Sequence, residues 1–472
     1  MQEKSKMPDN ARYGDDSPIA AFATSPGNSA LTLIRCSGKG SIELFSSVFS
    51  SEKINDAPGN TVIHGWIVRN EKIDEVLVSV FRAPKSYTGE DSLDISCHGG
   101  FVSGKAVLDA LKYSGFREAL PGEFTFRAFL NGKIDLTRCE SVMELVSAKT
   151  DTARSRAVSR LSGSLFAEID EIKKLLVQVL SGAEIYLDYS EDEIGADDDE
   201  AEGKLPNLNA AINVLARLKK LASSWRTERL YQEGLTLVIA GCPNAGKSSL
   251  FNALLKEDRS IVTEIPGTTR DWIEAWVSIE GIPVRLVDTA GLRETSDSVE
   301  KIGVERSRKL LQDAELVLYL IDGAQGLTAA DNEFISGNFK RLIIWNKADI
   351  NPVPSGFKIA DNRFISVSAK TGEGLSELYR EIVSAINERA ETDFHLHNGP
   401  ASAALGSERQ KNLVCSACDA LEEAISLSRK NEPLDLIAPL LREAVNALGE
   451  ITGEVSTSDI LEDMFSRFCV GK

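Results

Sequence analysis

The chain runs to 472 residues, 42% of them hydrophobic and 26% charged, an ordinary globular composition at a length that accommodates about three domains. Its 53 Lys and Arg face 71 Asp and Glu, a formal charge of −18. Such a surface repels phosphate backbones on average, which disfavours a self-sufficient nucleic-acid binder unless a local basic patch or a basic partner intervenes.

The opening stretch MQEKSKMPDN has no apolar core of the signal-peptide kind, and no segment reaches the roughly 18 apolar residues of a membrane span, so the expected location is the cytoplasm. Residues 19 to about 130 mix short β-rich runs (IAAFAT, LTLIRC, VLVSVFRA, SLDISCHGG) with a helical stretch from Gly104 to Tyr113, the pattern of an α/β or α+β domain. From about Leu136 to Gln232 apolar residues recur at three- and four-residue spacing, which predicts helices. The acidic run DYSEDEIGADDDEAEG inside that region reads as a solvated loop rather than a metal site. LTLVIAG then opens an alternation of strands and helices ending near Arg389, which implies a parallel sheet. Helical periodicity resumes from about Ser407 to Phe468. The two helical segments are either separate domains or one helical domain interrupted by the α/β insert, and the second arrangement is expected.

Seven cysteines scattered over this length do not form a disulfide framework and read as reduced thiols. Cys415 and Cys418 sit at helical spacing and are expected to pack, and His64, His98, His395 and His397 show no zinc spacing with them. The chain closes on RFCVGK. Cys469 to Lys472 fit the outline of a prenylation box poorly, since glycine and lysine are not in its pattern; the plain alternative is a frayed tail.

The chemistry concentrates in the α/β segment. GCPNAGKSS at 241 to 249 follows an apolar strand and precedes a helical run, the context in which G-x-x-x-x-G-K-S cradles phosphates on backbone N–H groups. Lys247 is placed to reach the β and γ phosphates and Ser248 to ligate Mg²⁺, at a helix N-terminus whose dipole adds to both. In PGTTRD, Thr269 offers a hydroxyl to Mg²⁺ and an N–H to the γ-phosphate, and RLVDTAG ends a strand at Asp288, placed for the metal's water shell; both are switch-type elements. In LIIWNKAD the Asp349 carboxylate can accept the ring N–H and exocyclic amine of guanine, a pair that adenine cannot present. Asn346 and Lys347 would brace the base and Ser368, Ala369 and Lys370 close over it. The order of these motifs behind strands points to GTP. The position that holds the water-orienting glutamine in GTPases of the Ras kind is Leu292, which cannot hydrogen-bond. Glu300 can orient or deprotonate the water, or simply cap a helix, and Asn244 can ligate a monovalent cation.

With these motifs in place the chain, from about Ile19 to Lys472, resembles the MnmE (TrmE) family of tRNA-modification GTPases. The resemblance rests on APKSYTGEDSLDISCHGG, PGEFTFRAFLNGKIDLTRCE, GCPNAGKSSLFNALL, IVTEIPGTTRD, DTAGLRETSDSVEKIGVERS and the ending FCVGK, in that order. It implies a multidomain α/β and α architecture: an α+β folate-binding and dimerisation domain at 17–135, a helical domain at 136–232 and 390–472, and an inserted Ras-like P-loop G domain at 233–389. It further implies a homodimer that acts with the FAD protein MnmG (GidA) on tRNA. The complex would add an aminomethyl or carboxymethylaminomethyl group to the wobble uridine, using the one-carbon unit of a 5-formyl or methylene tetrahydrofolate.

Carried over by motif, the folate positions are Arg35, Glu90, Lys133 and Lys472. The potassium ligands are Asn244, Thr263, Ile265 and Thr268, the magnesium ligands Ser248 and Thr269, and the hydrolytic glutamate Glu300. Ala245, Gly246, Ser249, Thr289, Ala290 and Gly291 complete the nucleotide contacts. The terminal helix would return Cys469 and Lys472 to the folate pocket, with Cys469 acting as a covalent catalyst or as a residue that positions cofactor. The stretch SPGNSALTLIRCSG departs from the family's glycine-rich turn at Asn28, Ser29 and Ala30. Two rival readings are a ribosome-assembly GTPase, which predicts a basic RNA-binding module that the sequence does not show, and a folate-binding regulator without modification chemistry.

Overall fold

The computed structural model describes residues 13–25, 27–188, 205–257, 273–288, 310–312, 314–337, 340–353, 364–390, 403–455 and 458–471. These fall into two compact units. One takes the described residues within Met1–Met143, Ile169–Pro206 and Ser426–Lys472, the other those within Glu144–Glu168 and Asn207–Ile425.

In the first unit a six-stranded sheet has the order β3-β4-β5-β2-β1-β6, built from β1 (Ile19–Phe22), β2 (Leu31–Ser37), β3 (Thr61–Val68), β4 (Lys72–Phe81), β5 (Ser92–His98) and β6 (Arg117–Glu118). β6 joins β1 in parallel and the remaining pairs are antiparallel. Alternation sets the two faces. Along KIDEVLVSVF, Val76, Val78 and Val80 are buried with Ile34, Ile95 and the helix residues Ile42, Phe45, Val107 and Leu111. The opposite face carries Arg35 and Ser37 of β2, with Asp94 and Ser92 as their cross-strand partners.

The end of the chain docks in this unit. Phe465, in the last turn of the helix Ser458–Ser466, and Phe468, just beyond it, pack with Phe126, Leu136 and Cys139. The Gly122 N–H donates to the Cys469 carbonyl at 3.1 Å. Gly471 has φ +93°, and a Cβ there would lie 2.1 Å from the Phe22 carbonyl oxygen, so only glycine fits. The tail through Gly471 is therefore tied down, while Lys472 lies outside the described residues.

The second unit holds a six-stranded sheet of order β12-β11-β10-β7-β9-β8: β7 (Leu235–Gly241), β8 (Ile273–Ile279), β9 (Ile282–Asp288), β10 (Leu316–Asp322), β11 (Arg341–Asn346) and β12 (Phe364–Ser366). All pairs are parallel except β8 with β9. β10, LVLYLID, is buried along its whole length, as a central parallel strand covered on both faces must be. The acidic run predicted as a loop lies, apart from Asp188, outside the described residues.

The helices Asp151–Leu161 and Leu208–Glu233 belong to this second unit and are joined to each other by a buried ion cluster. Arg160 donates to Glu228 at 2.7 Å and to Glu144 at 2.7 Å. Arg156 pairs with the other oxygen of Glu228 and lies 4.1 Å from the Tyr231 ring centroid. Burial works against the Arg160 charge, but Glu144 and Glu228 outweigh it and its pKa is raised. Removing one member strands its partners in a dry environment. Arg160→Ala is therefore expected to lower stability by about 3–5 kcal/mol, read as a drop in the denaturation midpoint of the full chain. A loss below about 1 kcal/mol would place the cluster with surface pairs.

Candidate functional site

At the carboxyl ends of β7, β9, β10 and β11 the sequence motifs of the α/β segment meet. β7 ends at Gly241, where a Cβ would sit 2.3 Å from the Leu320 carbonyl oxygen of β10. The chain then turns through Asn244 in the left-handed region, φ +63°, and reaches the helix Lys247–Glu257. The Lys247 ammonium donates to the carbonyls of Gly241 and Cys242, at 3.1 and 2.9 Å, and so lies across the mouth of the loop. The Ser248 hydroxyl donates to Asp288 Oδ2 at 2.9 Å. Asp288 is buried at the end of β9. A hydroxyl and a carboxylate in contact at a helix N-terminus are hard oxygen donors of the kind that Mg²⁺ takes.

The base end is organised by Asn346. Its amide nitrogen donates to the Ala245 carbonyl at 2.7 Å and its oxygen accepts from the Ala369 N–H at 3.1 Å, so one buried carboxamide joins the phosphate loop to the Ser368–Lys370 loop. Gly246 passes so close that a Cβ would lie 2.2 Å from Asn346 Nδ2. Lys347, with φ +65°, extends to Asp322 Oδ2 at 2.7 Å. Asp322 is buried at the end of β10 and also accepts from the Ala324 N–H through Oδ1 at 3.0 Å. Ser368 is fixed by its own N–H to the Glu373 carbonyl at 2.9 Å and by its hydroxyl, which accepts from the Thr371 N–H at 3.2 Å. An open cleft of about 630 Å³ results, with Gly246, Ser249, Lys347, Asp349, Ala369 and Lys370 among its lining.

The structure thus brings together Asn244, Ala245, Gly246, Lys247, Ser248, Ser249, Asp288, Asn346, Lys347, Asp349, Ser368, Ala369 and Lys370. Thr263, Ile265, Thr268, Thr269, Thr289, Ala290, Gly291, Leu292 and Glu300 lie outside the described residues. Two features were not foreseen. Asn346 ties two loops to each other, and Asp322 holds Lys347; the signal for Asp322 was a lone carboxylate ending an apolar strand, with nothing local to name its partner.

In the first unit, Arg35, Glu90 and Lys133 gather around the loop 82–91. Arg35 forms two bonds to Asp94, at 2.9 and 3.1 Å, and stands 5.7 Å from the Tyr87 ring centroid. Burial opposes the Arg35 charge, and Asp94 more than offsets it. Burial raises the pKa of the Tyr87 phenol, whose hydroxyl shares a 2.9 Å hydrogen bond with Thr125. The Ser37 hydroxyl donates to Glu90 at 2.8 Å, and Arg127 lies 3.3 Å from both Glu90 oxygens. Lys133 donates to the Pro84 carbonyl at 2.9 Å, and Asn131 to that of Thr88 at 2.8 Å, which fastens the loop at both ends. Cys469 is exposed on the docked tail. Asn28, Ser29 and Ala30 precede β2, and a Cβ on Gly99 would lie 1.6 Å from the Ser29 carbonyl oxygen, so this turn is packed against the end of β5.

Among the described residues no helix is long and apolar enough to cross a membrane. The family model for the MnmE helical domain matches residues 136–469, and that for the GTP-binding protein TrmE N-terminus matches residues 18–133. A relative named tRNA modification GTPase MnmE from Treponema denticola is 44% identical, covering 98% of this chain and 99% of its own. Proteins of the same name from Borreliella afzelii and Carboxydothermus hydrogenoformans are 43% and 41% identical, covering 97% and 96% of this chain and 98% and 99% of their own. With one model matching more than half of the chain and relatives aligned over nearly all of it, the chain belongs to the MnmE family of tRNA modification GTPases.

Proposed function

We propose that the chain is the GTP-hydrolysing subunit of a complex that modifies the wobble uridine of tRNA at C5, drawing a one-carbon unit from a tetrahydrofolate derivative. The added group is aminomethyl or carboxymethylaminomethyl, and the complex includes an FAD-bearing MnmG partner. The observation that carries the nucleotide half is the Asn346 tie between the phosphate loop and the Ser368–Lys370 loop, beside a cleft that holds Asp349. The full-length similarity to proteins named for tRNA modification carries the other half. It also leaves the ribosome-assembly reading without support.

In this reading 17–135 binds folate and dimerises, 136–232 with 390–472 forms the helical domain, and 233–389 is the G domain of a cytoplasmic protein. Lys247 and the loop amides hold the β and γ phosphates, Asp349 selects guanine, and Ser248 with Thr269 takes Mg²⁺, whose water shell Asp288 holds and which neutralises phosphate charge when bound. Asn244, Thr263, Ile265 and Thr268 take K⁺. Glu300 positions the attacking water, a task that Leu292 cannot perform. Arg35, Glu90, Lys133 and Lys472 hold the folate: a carboxylate suits the amine and ring N–H of a pterin, and cations suit its glutamate tail.

Three outcomes test this. Hydrolysis by the full chain should be markedly slower when Na⁺ replaces K⁺ at equal ionic strength; equal rates would remove the potassium site. Asp322→Asn keeps the acceptor for the Ala324 N–H but loses the partner of Lys347. It should raise the KM for GTP roughly tenfold with kcat within about twofold, and an unchanged KM would exclude Asp322 from the base site. Finally, tRNA from a deletion strain should lack the modified wobble uridines by nucleoside mass spectrometry. The wild-type chain should restore them and Cys469→Ser should not; full restoration by the serine variant would take the thiol out of the chemistry.

A further inference from the structure

Behind Glu90 stands a ladder of charges alternating in sign. Arg127, on the helix Glu123–Leu130, reaches Glu90 through Nη1 at 3.3 Å to each carboxylate oxygen. Its Nη2 donates to Glu123 at 2.9 Å and to the carbonyls of Asp15 and Ser17 at 2.9 and 2.8 Å. Glu123 is closed on its other side by Arg117, at 2.6 and 3.0 Å, and by the Leu120 N–H at 2.8 Å. The Arg127 and Glu123 side chains are 6% and 1% exposed, whereas Glu90 keeps 21%. The carboxylate that closes the ladder is thus the one that solvent or a ligand can reach. It sits in the loop 82–91 between strands, yet donors from two other elements fix it, Ser37 of β2 and Arg127 of the helix. A guanidinium anchored by two carbonyls and a buried carboxylate cannot follow a wandering side chain, so the side chain is held to it.

We infer that Arg127 is a positioning residue for folate binding: it sets the Glu90 carboxylate in the orientation that accepts the ring N–H and exocyclic amine of a reduced pterin. This rests on the reading that the cluster of Arg35, Glu90 and Lys133 binds folate. Arg127 holds the Asp15 and Ser17 carbonyls through Nη2 and turns Nη1 to the Glu90 carboxylate. Glu123 is already neutralised by Arg117, so its pairing does not require a second cation, and the second cation is the one that touches Glu90. Preorganising a binding carboxylate from behind, through groups that never meet the ligand, is how a first contact acquires affinity without ordering a loop on binding.

The test is calorimetric binding of 5-formyltetrahydrofolate to the full chain, with GTP hydrolysis as the check on folding. Arg127→Gln should weaken binding roughly tenfold to a hundredfold with hydrolysis kept, and Arg127→Lys should recover part of the loss. In a Glu90→Ala background Arg127→Gln should add little, because the residue acts through that carboxylate. Ser37→Ala removes the other donor to Glu90 without touching Glu123, and is expected to weaken binding even if Arg127 variants fail to fold. Wild-type affinity in Arg127→Gln and Ser37→Ala, or a loss in Arg127→Gln that adds fully to that of Glu90→Ala, would overturn the assignment alone. A wild-type chain that binds no reduced folate would overturn the folate reading and the assignment with it.

Discussion

The nucleotide site depends on one buried carboxamide. Asn346 spans from the Ala245 carbonyl to the Ala369 N–H, and each of those groups would be left without its partner in a dry interior if the side chain were lost. The tie forms only when the sheet is in register: Asp322 of β10 lies opposite Asn346 of β11, and Trp345 opposite Ser366 of β12. The same register brings Asp322 to Lys347. A binding site at the carboxyl ends of parallel strands is the general outcome for sheets of this kind, and here three loops far apart in sequence are tied to one another by protein groups. Gly246 is the corresponding steric condition, since any side chain there would displace the carboxamide.

The first unit solves a different problem by comparable means. Its antiparallel sheet buries one face under helices and leaves the other for polar groups. On that face Arg35 and Ser37 stand two residues apart on β2, so both project on the same side, one toward Asp94 and the other toward Glu90. The loop 82–91 is then drawn over them by Asn131 and Lys133. The docked tail meets this unit at Gly122 and Phe22, the latter paired with Ile34, the neighbour of Arg35. The position of Cys469 thus follows from packing by Phe465 and Phe468, and that aromatic packing settles the tail against the frayed alternative.

What the sequence revealed was what repeats or what has a fixed local spacing. The phosphate loop and the guanine tetrapeptide are contiguous, and β1, β2, β4 and β5 carry clear β-rich runs. β3, TVIHGWIV, was not singled out, because a glycine and a histidine interrupt its middle. The helix Phe101–Ser114 begins before the expected Gly104, and no polar cap marks its start, since Gly100 stands at the N-cap without a side-chain hydrogen bond. Helical periodicity showed that Asp151–Leu161 and Leu208–Glu233 are helices, but not which core they join. Their pairing rests on Arg156 and Arg160 with Glu228, separated by 72 and 68 residues, and the tie to the second sheet on Thr150, whose hydroxyl donates to the Gly281 carbonyl at 2.8 Å. Partners such as Arg35 and Asp94, or Arg127 and Glu90, are 59 and 37 residues apart and obey no period, so no local pattern could pair them.

The charge balance acquires a structural meaning from the same pairs. Arg35, Arg117, Arg127, Arg156 and Arg160 each face a carboxylate, and the Arg127 and Arg160 side chains are nearly buried. Arg117, Arg127, Arg156 and Arg160 serve packing and positioning and cannot also meet a phosphate backbone, while Arg35 stands in the proposed folate cluster. Pairing cancels charge one for one, so the excess of −18 is carried by the groups left over and opposes the approach of any polyanion. With this balance, contact with RNA calls for a local basic patch or a partner that supplies the positive surface. The proposed division of labour, nucleotide and folate on this chain and much of the RNA contact on another, accords with that charge balance.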